Sequence, residues 1–236
     1  MFKLVAAIAA SVICAVPGQA VTFFSLDGAP DPGFASFETA LVTFDAPMHA
    51  GIVETRVGTV TVQQGTSGTA AAPALDIGNY EAIGTGGAST FDFRTYFASR
   101  SSAARSLSVY VGSVDQYNRI DILDGNLDVI STIHGIDLPG SNGDQRAAIT
   151  NRRLYINFLP SEHVGGLRFN SGGVAFEFDT IAASSAIFQT HGETVFTTLP
   201  MANAVPEPAT WTLLVVGLGM VGVALRRRKA AVKVLA

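Results

Sequence analysis

The chain has 236 residues, a net charge of −4, and 48% hydrophobic against 14% charged residues. Residues 21–204 are more acidic than the whole, because nine Arg and no Lys stand against eighteen Asp and Glu, a charge of about −9. This balance argues against nucleic acid or anionic lipid as a partner. The segment is long enough for one domain with a substantial core.

Residues 1–20 have the three parts of a secretory signal peptide. A basic start precedes an apolar run at 4–16, and Gly18 and Ala20 place small residues three and one before a cut after Ala20. The one cysteine, Cys14, lies inside this segment. The mature chain would therefore have no disulfide, no cysteine-ligated zinc and no thiol chemistry.

Short alternating runs bounded by turn residues dominate residues 21–204. Because side chains alternate between the faces of a strand, Phe176 and Phe178 should share one face of a sheet. The predicted strands are 40–45, 58–63, 90–97, 106–112, 119–123, 127–134, 153–158, 166–170, 174–180 and 185–190, and the only helical pattern covers 98–107. Many short strands without intervening helices predict an all-β fold, a single β-sandwich or jelly-roll domain.

The clearest local element is a β-hairpin within residues 117–135. Apolar and polar residues alternate on both sides of an Asp-Gly-Asn turn at 124–126, as at Ile120 and Ile122 before it and Ile133 after it. The central glycine of that turn tolerates a positive φ at no steric cost. The pattern predicts two antiparallel strands joined by a tight turn.

Four residues, Asp115, Tyr117, Asn118 and Asn151, are candidate ligand-binding residues. Carboxylate and amide groups can grip sugar hydroxyls, and the ring of Tyr117 or of Tyr110 could stack on an apolar sugar face. In the other interpretation, Asp115 and Asn118 bond to their own backbone in a turn and the aromatic rings fill the core. The sequence leaves both interpretations open.

Oxygen-bearing side chains crowd one short stretch, which contains Asp121, Asp124, Asn126 and Asp128. Their spacing does not fit an EF-hand loop, and alternate residues of a hairpin point to opposite faces, so a solvated turn is the prediction. A structural calcium ion held by Asp27, Asp31 and Glu38 is a separate hypothesis, by analogy with jelly-roll modules of carbohydrate-binding type. No other cofactor is predicted.

No catalytic arrangement is recognisable. The four histidines, His49, His134, His163 and His191, are widely separated, and the sequence has no HExxH pair, Gly-x-Ser-x-Gly elbow or phosphate loop. The prediction is a protein that is not an enzyme, with a secreted hydrolase as the least favoured alternative.

The tail has three parts, which are the motif Val205, Pro206, Glu207, Pro208 and Trp211, the apolar run 211–225, and the basic residues Arg226, Arg227, Arg228 and Lys229. The two prolines favour an extended, accessible strip before a helix can begin. A helix over the apolar run would be ~22 Å long, short against a hydrocarbon core of ~30 Å. We therefore expect a short, temporary transmembrane helix, with the basic residues and 230–236 in the cytoplasm.

These tail residues resemble the PEP-CTERM sorting signal of Gram-negative bacteria in its PEPxxWA variant, with Thr212 where that variant often has Ala. The resemblance implies a substrate of an exosortase, a membrane-embedded transpeptidase-like protease that cuts near the Pro-Glu-Pro motif. The same tail type has also been described as an ice-binding protein C-terminal domain, but ice binding needs a flat, repeated threonine array, and only Thr59 and Thr61 supply such spacing.

Two stretches of the body, 112–118 and 175–182, are similar to a domain of exosortase-dependent surface proteins, and the similarity covers roughly residues 85–185. That domain has no established catalytic residues to carry over. It agrees with the export signals at the two ends of the chain.

Together these features predict a protein exported by the Sec machinery, held briefly in the inner membrane, and then placed on the cell surface or in the extracellular matrix. The predicted role is structural or adhesive, linked to exopolysaccharide or biofilm. A lectin-like carbohydrate-binding module is the alternative.

Overall fold

The computed structural model describes residues 20–188 and 197–200. The sorting tail at 205–229, its apolar run and nearly all of the predicted signal peptide lie outside these residues. Within the described part the chain is mostly strand, in two antiparallel sheets, so the prediction of an all-β fold is confirmed. No helix of this part is both long and apolar enough to cross a membrane.

The strands of the described residues are β1 (Ala20–Asp27), β2 (Thr39–Val42), β3 (Val53–Val57), β4 (Val60–Gln64), β5 (Asn79–Ile83), β6 (Ala88–Asp92), β7 (Ser106–Gly112), β8 (Asn118–Leu123), β9 (Val129–His134), β10 (Arg152–Asn157), β11 (Gly166–Ser171), β12 (Phe176–Ser184) and β13 (Thr197–Pro200). One short helix, α1 (Arg94–Ala98), and three 3-10 turns (Gly135–Asp137, Ala148–Thr150 and Pro160–Glu162) complete the elements. Sheet A has the strand order β13-β1-β10-β7-β12-β5-β4, with β2 also paired to β12. Sheet B has the order β3-β6-β11-β8-β9.

An aromatic core joins the inner faces of the two sheets. Phe178 of sheet A stacks on Phe169 of sheet B with ring centroids 3.9 Å apart, and Phe91 meets Phe178 edge-on at 6.0 Å. All three side chains are fully buried. Each such ring contributes about 1.5–3 kcal/mol by leaving water. The predicted shared face of Phe176 and Phe178 is confirmed, since both belong to this core.

The outer face of sheet A is also buried. Two segments, 28–38 and 66–78, lie over it and are called the cover here. Every residue of β7 and β12 is therefore buried. Polar side chains occupy the covered face, because backbone groups of the cover need hydrogen-bond partners there.

Arg153 is the charged centre of the covered face. Its side chain is fully buried, and its Nε and Nη2 donate to the two carboxylate oxygens of Asp31 at 2.9 and 2.7 Å. Its Nη1 donates to the hydroxyl of Ser108 at 2.9 Å, and that hydroxyl donates to Glu38. Since an unpaired buried charge is very costly, this network holds the first cover segment against the sheet.

A polar bridge connects the sheets at one side. Arg56 of β3 donates to Glu54 on its own strand and to Glu81 of β5 at 2.8 Å. Burial, together with hydrogen bonding to the neighbouring carboxyl of Glu54, raises the pKa of Glu81 from its ordinary 4.5 to about 8. Glu81 therefore keeps its proton at neutral pH, while Arg56 remains a cation.

The register confirms the predicted hairpin. Ile120 pairs with Ile133 and Ile122 with Ser131 across β8 and β9. The predicted strand at 106–112 is also confirmed as β7.

Several predicted boundaries are wrong. The strand expected at 90–97 ends at Asp92, because the Asp92 carboxylate accepts a hydrogen bond from the backbone N–H of Arg94 at 3.0 Å and α1 begins there. The helix expected at 98–107 is also wrong. The helix α1 ends at Ala98, where the expected one begins, and β7 starts at Ser106.

The predicted end of the strand that contains Phe176 and Phe178 is also wrong. Two strands, 174–180 and 185–190, were expected, but β12 continues unbroken to Ser184, and residues 185–188 are not strand. A bulge between Asp179 and Ile181 lets the strand continue: Thr180 has a φ of 38°, and its N–H donates to the Asp179 carboxylate at 2.6 Å. Strands β1, β3, β5 and β13 are not among the predicted strands.

We predict that the free energy of unfolding falls as pH rises from 5 to 8. Folded Glu81 holds its proton up to a pH of about 8, whereas an unfolded Glu releases it near 4.5. The folded state thus binds more protons in this window and loses stability as pH rises through it. Urea unfolding followed by far-ultraviolet circular dichroism at both pH values measures the slope.

The variant Glu81→Gln should flatten this dependence, because the amide needs no proton. Asp179 contributes in the same direction, since burial raises its pKa to about 7, so part of the slope should remain. Asp128→Asn removes an exposed carboxylate and is the matched control. A slope unchanged by Glu81→Gln would contradict the assignment.

Candidate functional site

The side chains of Asp115 and Asn118 lie in one turn before β8. The Asn118 side-chain oxygen accepts a hydrogen bond from the Asp115 N–H at 2.6 Å, and the Asn118 N–H donates to the Asp115 carbonyl at 3.0 Å. Asn118 is buried, whereas Asp115 is partly exposed. Of the two interpretations of this motif, the backbone-bonded turn therefore describes Asn118.

Asn151 lies away from this surface, fully buried under the cover. Its side-chain oxygen accepts hydrogen bonds from the N–H groups of Ala74 at 2.9 Å and Ser113 at 3.3 Å. Its amide nitrogen donates to the carbonyl of Ala147 at 3.0 Å. The amide thus joins three segments of the chain, and the structure does not bring it to the exposed face of the Asp115 turn.

The two tyrosines of the motif differ in the same way. Tyr110 is fully buried and its hydroxyl donates to the Gly28 carbonyl at 3.0 Å. Tyr117 keeps 39% of its surface exposed. Its hydroxyl lies 2.6 Å from a carboxylate oxygen of Asp115 and 2.8 Å from the Val174 carbonyl. Burial and this carboxylate raise the pKa of Tyr117, so the hydroxyl stays a donor.

Gly173 sets the orientation of the Tyr117 ring. A Cβ at position 173 would lie 2.6–2.8 Å from three atoms of the ring, closer than real Cβ contacts come. Only glycine therefore lets the chain lie against this side of the ring. The hydroxyl is held at the same time, so Tyr117 is fixed before any ligand arrives.

The exposed part of Tyr117 lines a groove of about 430 Å³. The polar side chains around it come from the Asp115 turn and from sheet B, and they are Gln116, Tyr117, Asn118, Arg119, His134, Asn170 and Ser171. Gly86, Gly87 and Gly172 complete its lining together with Ala88. Among the described residues, no carboxylate lines this groove.

The acidic stretch of the hairpin divides into two parts. Asp124 forms the predicted turn, since one of its carboxylate oxygens accepts hydrogen bonds from the N–H groups of Asn126 at 2.8 Å and Asp128 at 2.9 Å. Asp121 does not fit the prediction of a solvated turn. It is buried on the outer face of sheet B, because side chains of the two neighbouring strands, β9 and β11, surround its carboxylate.

Two of the three carboxylates proposed to hold calcium in the N-terminal segment already have hydrogen-bond partners from the protein. Arg153 occupies both oxygens of Asp31, and Glu38 accepts from the Ala35 N–H and the Ser108 hydroxyl. The side chain of Asp27 lies outside the described residues. Within those residues, no group of three His, Cys, Asp or Glu side chains is arranged to hold a metal ion.

Sequence reasoning missed the buried acids of the covered face. Glu177 accepts from the Ala71 N–H at 3.0 Å and from the Ser113 hydroxyl at 2.8 Å, and burial raises its pKa. The pattern of an acid between two core phenylalanines is typical of a strand with one face in the core and the other in solvent, so it predicts an exposed Glu177. The sequence gives no sign that residues a hundred positions away cover that face.

We predict that Asn151→Ala lowers the free energy of unfolding by about 1–3 kcal/mol, because two buried N–H groups lose their acceptor. Urea unfolding measures the loss. Asn126→Ala, in the exposed hairpin turn, is the matched control and should change stability by less than about 0.5 kcal/mol. Equal effects of the two substitutions would show that the buried amide is not structural.

Comparison with known proteins concerns the tail. Residues 204–229 match the family model described as the PEP-CTERM protein-sorting motif. No curated protein matches the chain. The matched residues include the whole of the predicted motif and its basic end, although they lie outside the described residues. The chain therefore carries a PEP-CTERM protein-sorting motif at residues 204–229.

Proposed function

We propose that this chain is an exported exosortase substrate that serves as a structural or adhesive protein of the cell surface or extracellular matrix. The observation that carries the proposal is the PEP-CTERM match at 204–229. The motif is an element on which a processing enzyme acts, so the chain is the substrate and not the protease. Catalytic activity of its own forms no part of the proposal.

The order of segments gives the route. Residues 1–20 would direct Sec export, and 21–204 would fold outside as one β-sandwich of jelly-roll type. The apolar run 211–225 would hold the intermediate in the inner membrane while its basic end, 226–229, stays in the cytoplasm. Cleavage near the Pro-Glu-Pro motif would then release the domain.

The build of the described domain supports a structural role. The central strands of sheet A are buried on both faces, and Arg153 ties the cover to them from inside. Opening such a layered domain would break the buried hydrogen bonds that join the cover to sheet A. Such a module suits a surface or matrix, and the exopolysaccharide of a biofilm is the proposed setting.

A carbohydrate-binding module is the second candidate. It is favoured by the fixed ring of Tyr117 at an open groove, since aromatic faces and nearby polar groups are typical of ligand sites. A secreted hydrolase is a third and less favoured function.

Replacing Pro206 and Pro208 together with Ala should leave full-length protein in the inner membrane, because the extended strip before the apolar run is lost. Cell fractionation with an antibody against the body measures this. Pro200→Ala lies outside the matched residues and should be processed normally. Release of a cleaved product by the double variant would sink the sorting assignment.

A glycan array on residues 21–204, with and without calcium, separates the remaining functions. A carbohydrate-binding module should retain specific glycans, and a hydrolase should shorten them. A purely structural protein should do neither. Retention that requires calcium would revive a metal site, whereas equal retention in both conditions would exclude a required one.

A further inference from the structure

We propose that the groove beside Tyr117 binds sugar units that carry a carboxylate, as in a chain of uronic acids. The inference deepens the carbohydrate-binding candidate and rests on the proposed surface location only for access to such a polysaccharide. Three features of the described residues support it: a row of polar side chains, an arginine with unused donors and a fixed ring.

The row of polar side chains follows from strand register. Arg119 of β8 lies opposite His134 of β9 and opposite Asn170 of β11. Directly paired residues project from the same face of a sheet, so these three side chains stand side by side across three strands. The row spans about 10 Å at the usual strand spacing, which is the length of about two sugar rings.

Asp121 holds two members of this row, Arg119 and Asn170, in place. Arg168 donates to its carboxylate from Nε at 3.0 Å, Asn170 donates at 3.1 Å, and Thr132 donates at 2.9 Å. The Nε of Arg119 lies 3.2 Å away. The guanidinium groups of Arg168 and Arg119 thus share one carboxylate. The net charge of these three side chains is +1.

Arg119 has donors to spare. Its side chain is 44% exposed, and only its Nε is paired with Asp121, so its two Nη groups have no partner among the described residues. A guanidinium recognises a carboxylate by two parallel N–H···O bonds, which are about twice as strong as bonds between neutral groups. The Gln116 amide is likewise exposed and makes no hydrogen bond in the described part of the chain.

Two acids flank the groove in sequence and accept hydrogen bonds from neutral donors, so they keep their negative charge outside its lining. The Asp115 carboxylate receives the Tyr117 hydroxyl, and the Asp137 carboxylate receives the His134 backbone N–H at 3.0 Å. In a body with a charge of about −9, most of the surface repels an anionic polymer. The groove, whose described lining holds no carboxylate, is where a carboxylated sugar would meet the Arg119 guanidinium and the Tyr117 ring together.

Tyr117 supplies the apolar contact. Gly173 lies against one side of the ring and the hydroxyl is bonded behind it, so the exposed remainder borders the groove. A ring that is fixed in advance loses little conformational entropy when a sugar stacks on it. Stacking and the Arg119 contact together would orient the sugar ring.

The test uses the full-length chain in detergent, titrated by calorimetry with an α-1,4-linked galacturonic acid tetramer and with the methyl ester of the same tetramer. The ester keeps the sugar and removes its charge. We expect the acid to bind at least about tenfold more tightly, which corresponds to one charge-assisted contact. Equal binding of both forms, or binding of neither, would overturn the proposal.

Variants locate the site. Arg119→Gln should weaken binding of the acid about tenfold and leave binding of the ester unchanged, while Arg94→Gln, at an exposed arginine outside the groove, should change neither. Tyr117→Ala should weaken both forms, whereas Tyr117→Phe, which keeps the ring, should retain most of the affinity. Far-ultraviolet circular dichroism checks that each variant is folded.

The outcomes are separate from the sorting experiment. A Pro206 and Pro208 variant that stays in the membrane supports export and processing whatever the groove binds. If the wild-type protein does not prefer the acid tetramer to its methyl ester, the groove assignment is contradicted and the sorting assignment is unaffected. An Arg94→Gln variant that loses as much affinity as Arg119→Gln would place the binding elsewhere and overturn the proposal.

Discussion

The pairing of Arg153 with Asp31 is the interaction on which the layered structure depends. A central strand of sheet A places this guanidinium on the covered face, and its charge is tolerable in that buried position because Asp31 of the first cover segment pairs with it. Neighbouring side chains, Ser108 and Glu38, join the same network. The second cover segment is held separately by Glu177 and Asn151, which accept from its backbone. Sheet A thus has an apolar inner face and a polar but buried outer face.

Sheet B is built differently, and this difference determines where a ligand can bind. Its inner face shares the aromatic core, but its outer face stays open along β8, β9 and β11, where Asp121 gathers donors from neighbouring strands. Burial of a carboxylate among two arginines is favourable because each oxygen has several partners. The same arrangement holds Arg119 and Asn170 at the groove. Structural support and a binding surface come from one cluster.

The tail and the body answer different questions about this protein. The PEP-CTERM motif at 204–229 concerns route and processing, and it depends on a short stretch of adjacent residues that an enzyme can read in extended form. The groove concerns the ligand of the delivered domain, and it depends on residues from four separate parts of the chain. Neither feature predicts the other, so a chain can be sorted correctly whatever its body binds.

Local chemistry was predictable from the sequence. The sorting motif, the Asp124 turn, the hairpin and the shared face of Phe176 and Phe178 each depend on neighbours within a few residues, where turn preferences and strand periodicity act. Tertiary structure alone decided which polar residues are buried. Glu177, Asn151 and Asp121 look like surface residues by their type, but cover segments and cross-strand partners from distant positions enclose them. Register across strands, which no local pattern specifies, placed His134, Arg119 and Asn170 side by side.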